Sequence, residues 1–170
     1  MSPSDLPLSI ASLTFDRATV LTAMIRVLIT FVLIYPIAME REREEWSIGT
    51  EGAGLRTFPL VGMGSCILVL LAQIILPPQS ANHAQVLQGL ITGIGFVGGG
   101  AIVKDQFKVR GTATAAGVWA TAVLGAAVGY GRLDLAVVLG VATFVTLRIL
   151  TAYERRSRER PQTPNDGAAG

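Results

Sequence analysis

Gln88-Gly-Leu-Ile-Thr-Gly-Ile-Gly-Phe-Val-Gly-Gly-Gly-Ala-Ile-Val103 and Gly111-Thr-Ala-Thr-Ala-Ala-Gly-Val-Trp-Ala-Thr-Ala-Val-Leu-Gly-Ala-Ala-Val-Gly129 decide how this chain folds. Both stretches are uncharged and crowded with glycine, alanine and threonine. In water, glycine weakens a helix. In a bilayer, small residues let helix backbones approach closely. The pair therefore points to a membrane bundle with tight helix contacts.

The rest of the chain agrees. Of 170 residues, 51% are hydrophobic and 15% charged, against a usual charged share of about 25%. Mean hydropathy is +0.52. Charges fall in clusters between apolar runs, the pattern of a polytopic membrane protein. No basic face of the kind that binds nucleic acid is visible. The single cysteine, Cys66, lies in an apolar run and has no partner for a disulfide or a metal site.

Five segments approach the roughly 20 apolar residues needed to cross a hydrocarbon core. They are about 18–39, 58–76, 86–103, 112–130 and 133–152. The expected fold is an all-α, polytopic transmembrane bundle of about five spans. It is flanked by an N-terminal extracytoplasmic segment, 1–17, and a largely disordered cytoplasmic tail, 153–170. The first span is too long, too far from the start and too poor in preceding basic residues for a cleaved signal. Lysine and arginine placement gives the orientation. Ten of these residues fall in the segment between spans one and two, the segment between spans three and four, and the tail. Two, Arg17 and Arg132, fall on the other side. The N-terminus is expected outside and the C-terminus in the cytoplasm, which requires an odd number of spans.

Gly93-Ile-Gly95-Phe-Val-Gly98 matches a dinucleotide-loop pattern, but that fingerprint needs a preceding strand and a later acidic residue. Here an apolar run surrounds it and no acid lies between Asp105 and Asp134. Close helix packing is the reading taken for Gly93, Gly95, Gly98, Gly99 and Gly100. The consecutive glycines also offer a break that lines a cavity. In the fourth span, Gly117, Thr121 and Gly125 continue to Gly129 at four-residue spacing, a stripe suited to a helix–helix seam. Trp119 lies deep in that span and is expected to fill a gap or cap a cavity. Thr114 precedes the stripe on the same side.

Glu40-Arg41-Glu42-Arg43-Glu44-Glu45 closes the first span. Residues 42–45 read as a solvated face. Glu40 and Arg41 abut the membrane core, and Arg56-Thr57 opens the second span on the same side. Glu40, Arg41, Arg56 and Thr57 thus form an expected cytoplasmic-face cluster in which Glu40 pairs with Arg56. Arg26 is an intramembrane charge, costly at about 2.5–3.5 kcal/mol on insertion scales. It either has a function or snorkels outward. Arg148 is expected to snorkel. His83 stands alone in a loop, which argues against a metal or catalytic role. No nucleophile–base pair, metal motif or paired intramembrane carboxylates occur, so neither an enzyme nor a resident cofactor is expected.

Taken together, Glu40-Arg41, Gly54-Leu55-Arg56-Thr57, the Gly93–Ile102 run, Gly111, Thr114-Ala115-Ala116 and Trp119 resemble the MgtC/SapB family of bacterial inner-membrane proteins. The resemblance covers about Arg26 to Arg148. It implies a role in magnesium transport or homeostasis. It also implies partners beyond the lipid bilayer: a second copy of the chain, or a membrane complex such as the proton-translocating ATP synthase. The soluble C-terminal domain of some members is not expected here.

Overall fold

The computed structural model describes residues 16–47, 54–105 and 108–158. The expectations for 1–15 and for the tail from 159 onward lie outside the described residues. Among the described residues five helices run in order: α1 (Arg17–Ser47), α2 (Gly54–Ile75), α3 (Asn82–Gly100), α4 (Thr112–Gly129) and α5 (Leu133–Arg158). Between α3 and α4, β1 (Val103–Asp105) pairs antiparallel with β2 (Lys108–Arg110), with Val103 opposite Arg110.

Local chemistry sets the helix ends. Asp16 caps α1: its carboxylate accepts from the Thr19 amide at 3.0 Å and the Ala18 amide at 3.3 Å. The Thr19 hydroxyl and these amides hold the Asp16 carboxyl below its ordinary pKa. At the far end, α1 continues beyond the expected limit near Met39. Glutamate and arginine are good helix formers, and the charged run simply extends the helix. Gly111, at φ 84°, turns the hairpin into α4. A side chain there would strike the Ala101 carbonyl. After α4, Gly131 at φ 77° ends the helix. Its amide bonds the Val128 carbonyl at 2.9 Å while the Arg132 amide bonds Ala127 at 2.8 Å, the paired closure of a Schellman motif.

Among the described residues, four helices are long and apolar enough to cross a membrane: α1, α2, α4 and α5. This is a multi-pass membrane protein. The third expected span is a helix of 19 residues, about 28 Å long at 1.5 Å per residue, yet it is not among the four. Asn82, His83, Gln85 and Gln88 make its first half polar, and its six glycines add little apolar surface.

The bundle is built around α4. Over half of its spanning window is buried, against 17% for α1 and for α5. The core holds Ile34, Ile37 and Ala38 of α1, Phe58, Cys66 and Leu70 of α2, Val118, Leu124 and Val128 of α4, and Ala136 of α5. The glycine stripe of α4 sits directly on α2. A Cβ on Gly117 would strike the Phe58 ring, one on Gly125 the Gly62 carbonyl, and one on Gly129 would lie 2.8 Å from the Cys66 carbonyl.

Candidate functional site

The charged end of α1 binds it to three other helices. Arg41, 6% exposed, donates from Nε to Thr114 Oγ1 on α4 at 3.1 Å. Its Nη1 pairs with the Glu44 carboxylate one turn on. Gly54, the first residue of α2, makes this possible: a Cβ there would stand 3.1 Å from Arg41 Cβ and 2.8 Å from the Ala38 carbonyl. Glu42 accepts from the Leu55 amide at 3.2 Å, satisfying one of the amides left open at the start of α2. Glu40 accepts from Arg148 Nη1 on α5 at 3.1 Å.

Two sequence expectations change here. Among the described residues the partner of Glu40 is Arg148, not Arg56. Arg148 reaches the largely buried Glu40 carboxylate from the rim of α5, whereas Arg56 is exposed in the first turn of α2. Arg148 therefore does more than snorkel. Residues 42 and 44 are also not merely solvated, since one caps α2 and the other holds Arg41. Thr57 is half-buried in the first turn of α2. Sequence reading missed Arg148 as a partner, although it sits near the same end of its span as Glu40.

Arg26 occupies the opposite end. It is half-buried and donates from Nη1 to the Gly129 carbonyl, with the Gln73 side chain at 3.5 Å. It thus satisfies a carbonyl in the last turn of α4, where the helix dipole favours a cation. Fifteen residues separate it from Arg41, about 22 Å along α1. Between them, the hydroxyls of Thr30, Ser65 and Thr121 each donate to a carbonyl of their own helix, at 2.8, 2.8 and 2.9 Å.

The glycines of α3 behave differently from those of α4. The helix runs unbroken through Gly98-Gly99-Gly100 to a cap at Ala101. Its bundle-facing stripe is His83, Leu87, Leu90, Ile94 and Gly98. Gly98 packs on Ala115, where a Cβ would be 3.5 Å from the carbonyl. Gly89, Gly93, Gly95, Gly99 and Gly100 meet nothing within 4 Å. Phe96, 85% exposed, stands among them. Trp119 is 47% exposed on the bundle surface rather than filling a gap. Among the described residues no cluster of three or more metal-ligating side chains occurs.

His83 belongs to the first turn of α3. Its Nε2 meets the Pro77 carbonyl at 3.1 Å, and its ring edges Tyr130 with centroids 6.1 Å apart. Both help line a cavity of about 650 Å³ with Gln73, Ser80 and Leu87. This contact places the start of α3 beside the end of α4. The hairpin places the end of α3 beside the start of α4, so α3 traverses the height of the bundle.

Comparisons with known proteins agree on one family. YhiD of Escherichia coli strain K12, named "Putative magnesium transporter YhiD", is 30% identical over 132 residues, 74% of this chain and 59% of that protein. SrpB of Synechococcus elongatus is 33% identical over 150 residues, 78% of this chain and 75% of SrpB. MgtC of Brucella abortus strain 2308 is 38% identical over 89 residues, 52% of this chain and 37% of MgtC. The chain thus spans less than two thirds of the length of YhiD and of MgtC. No solved structure matches. The sequence profile of the MgtC family matches residues 17–156, nearly the whole of the described bundle, and the chain belongs to the MgtC family.

Proposed function

We propose that this chain is a regulatory or homeostatic protein of the bacterial inner membrane, linked to magnesium and membrane energetics, that acts by docking on membrane partners. The observation that carries this reading is α3. Its outward face carries Gly89, Gly93, Gly95, Gly99 and Gly100, with Ile91, Phe96 and Val97 exposed among them, and is left open by the rest of the bundle. A face of glycines with Phe96 suits close approach of another helix, either from a second copy of the chain or from a membrane complex such as the ATP synthase. With α3 counted, five helices cross, the N-terminus lies outside, and the charged node of Glu40 and Arg41 faces the cytoplasm.

Ion transport is the competing reading, and the printed name of YhiD favours it. Against it stands the bundle interior. No carboxylate lies between Arg17 and Met39, within α2, or within α4, and the interior hydroxyls are bonded to their own helices. Mg²⁺ takes oxygen ligands in near-ideal octahedral geometry and is usually held through carboxylates.

Crosslinking in native membranes from a photoreactive residue at position 93 or 96, read by mass spectrometry, tests the proposal. The expected result is a defined adduct with another membrane polypeptide. Adducts to this chain alone would assign the face to self-association and count against regulation of another membrane complex. Robust, saturable Mg²⁺ uptake by purified protein in vesicles would overturn the regulatory reading.

A further inference from the structure

Where α1 and α5 leave the bundle together, they enclose a cleft of about 240 Å³ lined by Glu40, Arg43, Arg148, Thr151 and Ala152. Two guanidinium groups share it with one carboxylate. The Arg148 side chain is 60% exposed although it pairs with Glu40, whose own side chain is 12% exposed. One of its five N–H donors goes to that carboxylate, which leaves others for a second acceptor. Arg43 is exposed and has no ion pair among the described residues. The cleft therefore carries a formal charge of about +1, with donors to spare and one acceptor already engaged. Arginine's planar fork suits phosphate oxygens.

The surroundings narrow the ligand. The cleft is smaller than the roughly 300–1,000 Å³ of sites that enclose a whole drug-sized molecule. It suits a small charged group whose remainder lies elsewhere. On α5, helical spacing puts Val141, Val145, Arg148 and Ala152 in one stripe. Val141, Val145 and the adjacent Ile149 are 57%, 43% and 61% exposed. An apolar, lipid-facing track thus ends at a cationic cleft at the rim of a membrane span. Basic pockets between transmembrane helices are binding places for anionic headgroups.

We propose that this cleft seats the phosphate of an anionic membrane lipid. Arg43 and Arg148 contact the phosphate, and the acyl chains lie along Val141, Val145 and Ile149. Zwitterionic lipids also carry a phosphate, but their ammonium group offsets its charge and competes with the arginines. Glu40 orients Arg148 and at the same time weakens the attraction for an anion. The inference depends neither on the orientation of the chain nor on a protein partner, and its failure would leave the regulatory reading standing.

The experiment uses the full chain in nanodiscs of phosphatidylcholine containing a minor share of phosphatidylglycerol, with retained lipid counted by native mass spectrometry. Phosphatidylglycerol should be enriched over its bulk share. Arg43→Gln, an exposed substitution, should lower that enrichment about fivefold, the effect of one basic residue at a membrane surface. Glu40→Gln should raise it, because the competing carboxylate charge is gone while its carbonyl can still accept from Arg148. A merely structural role for these residues would move neither value. Equal retention of the two lipids, or no change in Arg43→Gln, would overturn the proposal. Loss of the retained lipid to excess inorganic phosphate would assign the cleft to free phosphate and overturn the lipid reading.

Discussion

Arg41 brings a guanidinium into a site that is 6% exposed, and burial of a charge is tolerated only with partners. Thr114 is the partner that ties it to α4, at 3.1 Å. Thr114→Val keeps the shape and removes this acceptor from a buried guanidinium, an expected cost of about 1–3 kcal/mol. Thr114→Ser should retain most of the stability. Unfolding titrations with increasing SDS in mixed micelles measure the difference, and equal midpoints for Val and Ser would refute the role given to the hydroxyl. Asp16 supplies a pH-dependent case at the other end of α1. Its pKa in the folded chain is below the ordinary 3.8, chiefly through the Thr19 hydroxyl. A carboxyl with a lowered folded pKa stabilises its helix end when ionised. That contribution is present above pH 3.8 and disappears as pH falls through the lower folded value. Amide exchange at Ala18 and Thr19 should therefore accelerate over that acidic range, beyond the intrinsic pH trend. In Asp16→Asn, which can cap without titrating, the extra acceleration should be absent.

At the scale of elements, two glycine-rich helices that look alike in sequence play opposite parts. Gly125 of α4 lies against the Gly62 carbonyl of α2, whereas Gly93 of α3 faces open space. Gly125→Ala forces two backbones apart and should cost at least the 1–3 kcal/mol typical of overpacking. Gly93→Ala should be neutral or slightly stabilising in the isolated bundle, since alanine is the better helix former. The same SDS titration ranks them, and similar losses would mean that α3 packs inward through its glycines. The α4 seam was legible because Gly117, Thr121, Gly125 and Gly129 keep one period and hence one face. The facing of α3 was not. Its glycines occupy several faces, and Leu87, Leu90 and Ile94 compete successfully for the bundle side because they bury more apolar area. The hairpin at 103–110 was hidden by its length, since three-residue strands carry no periodic signal. Arg148 was passed over for Glu40 because pairing across distant helices leaves no trace in spacing along the chain.

For the whole molecule, the contacts sort the charges onto two ends. Arg41, Glu40 and Glu42 gather the end of α1, the starts of α2 and α4, and the end of α5. Arg26, Gln73 and Gly129 mark the other end. The hairpin, with Lys104, Lys108 and Arg110, joins the start of α4 and so belongs to the first group. Among the described residues, Arg41, Arg43, Arg56, Lys104, Lys108 and Arg110 thus belong to one end of the folded bundle, and an end rich in such residues is expected to face the cytoplasm. Since α3 runs between the two ends, the Pro77–Ala81 connection and the hairpin should lie on opposite sides of the membrane. Single cysteines at Ser80 and Arg110 test this in a Cys66→Ser background, Cys66 being buried. A membrane-impermeant maleimide applied to intact cells should label position 80 and spare position 110 until the membrane is permeabilised. Labelling of position 110 in intact cells with position 80 protected would invert the orientation and overturn the charge argument. Labelling of both positions from one side would show that α3 does not cross, leaving four spans and removing the reason for placing the termini on opposite sides.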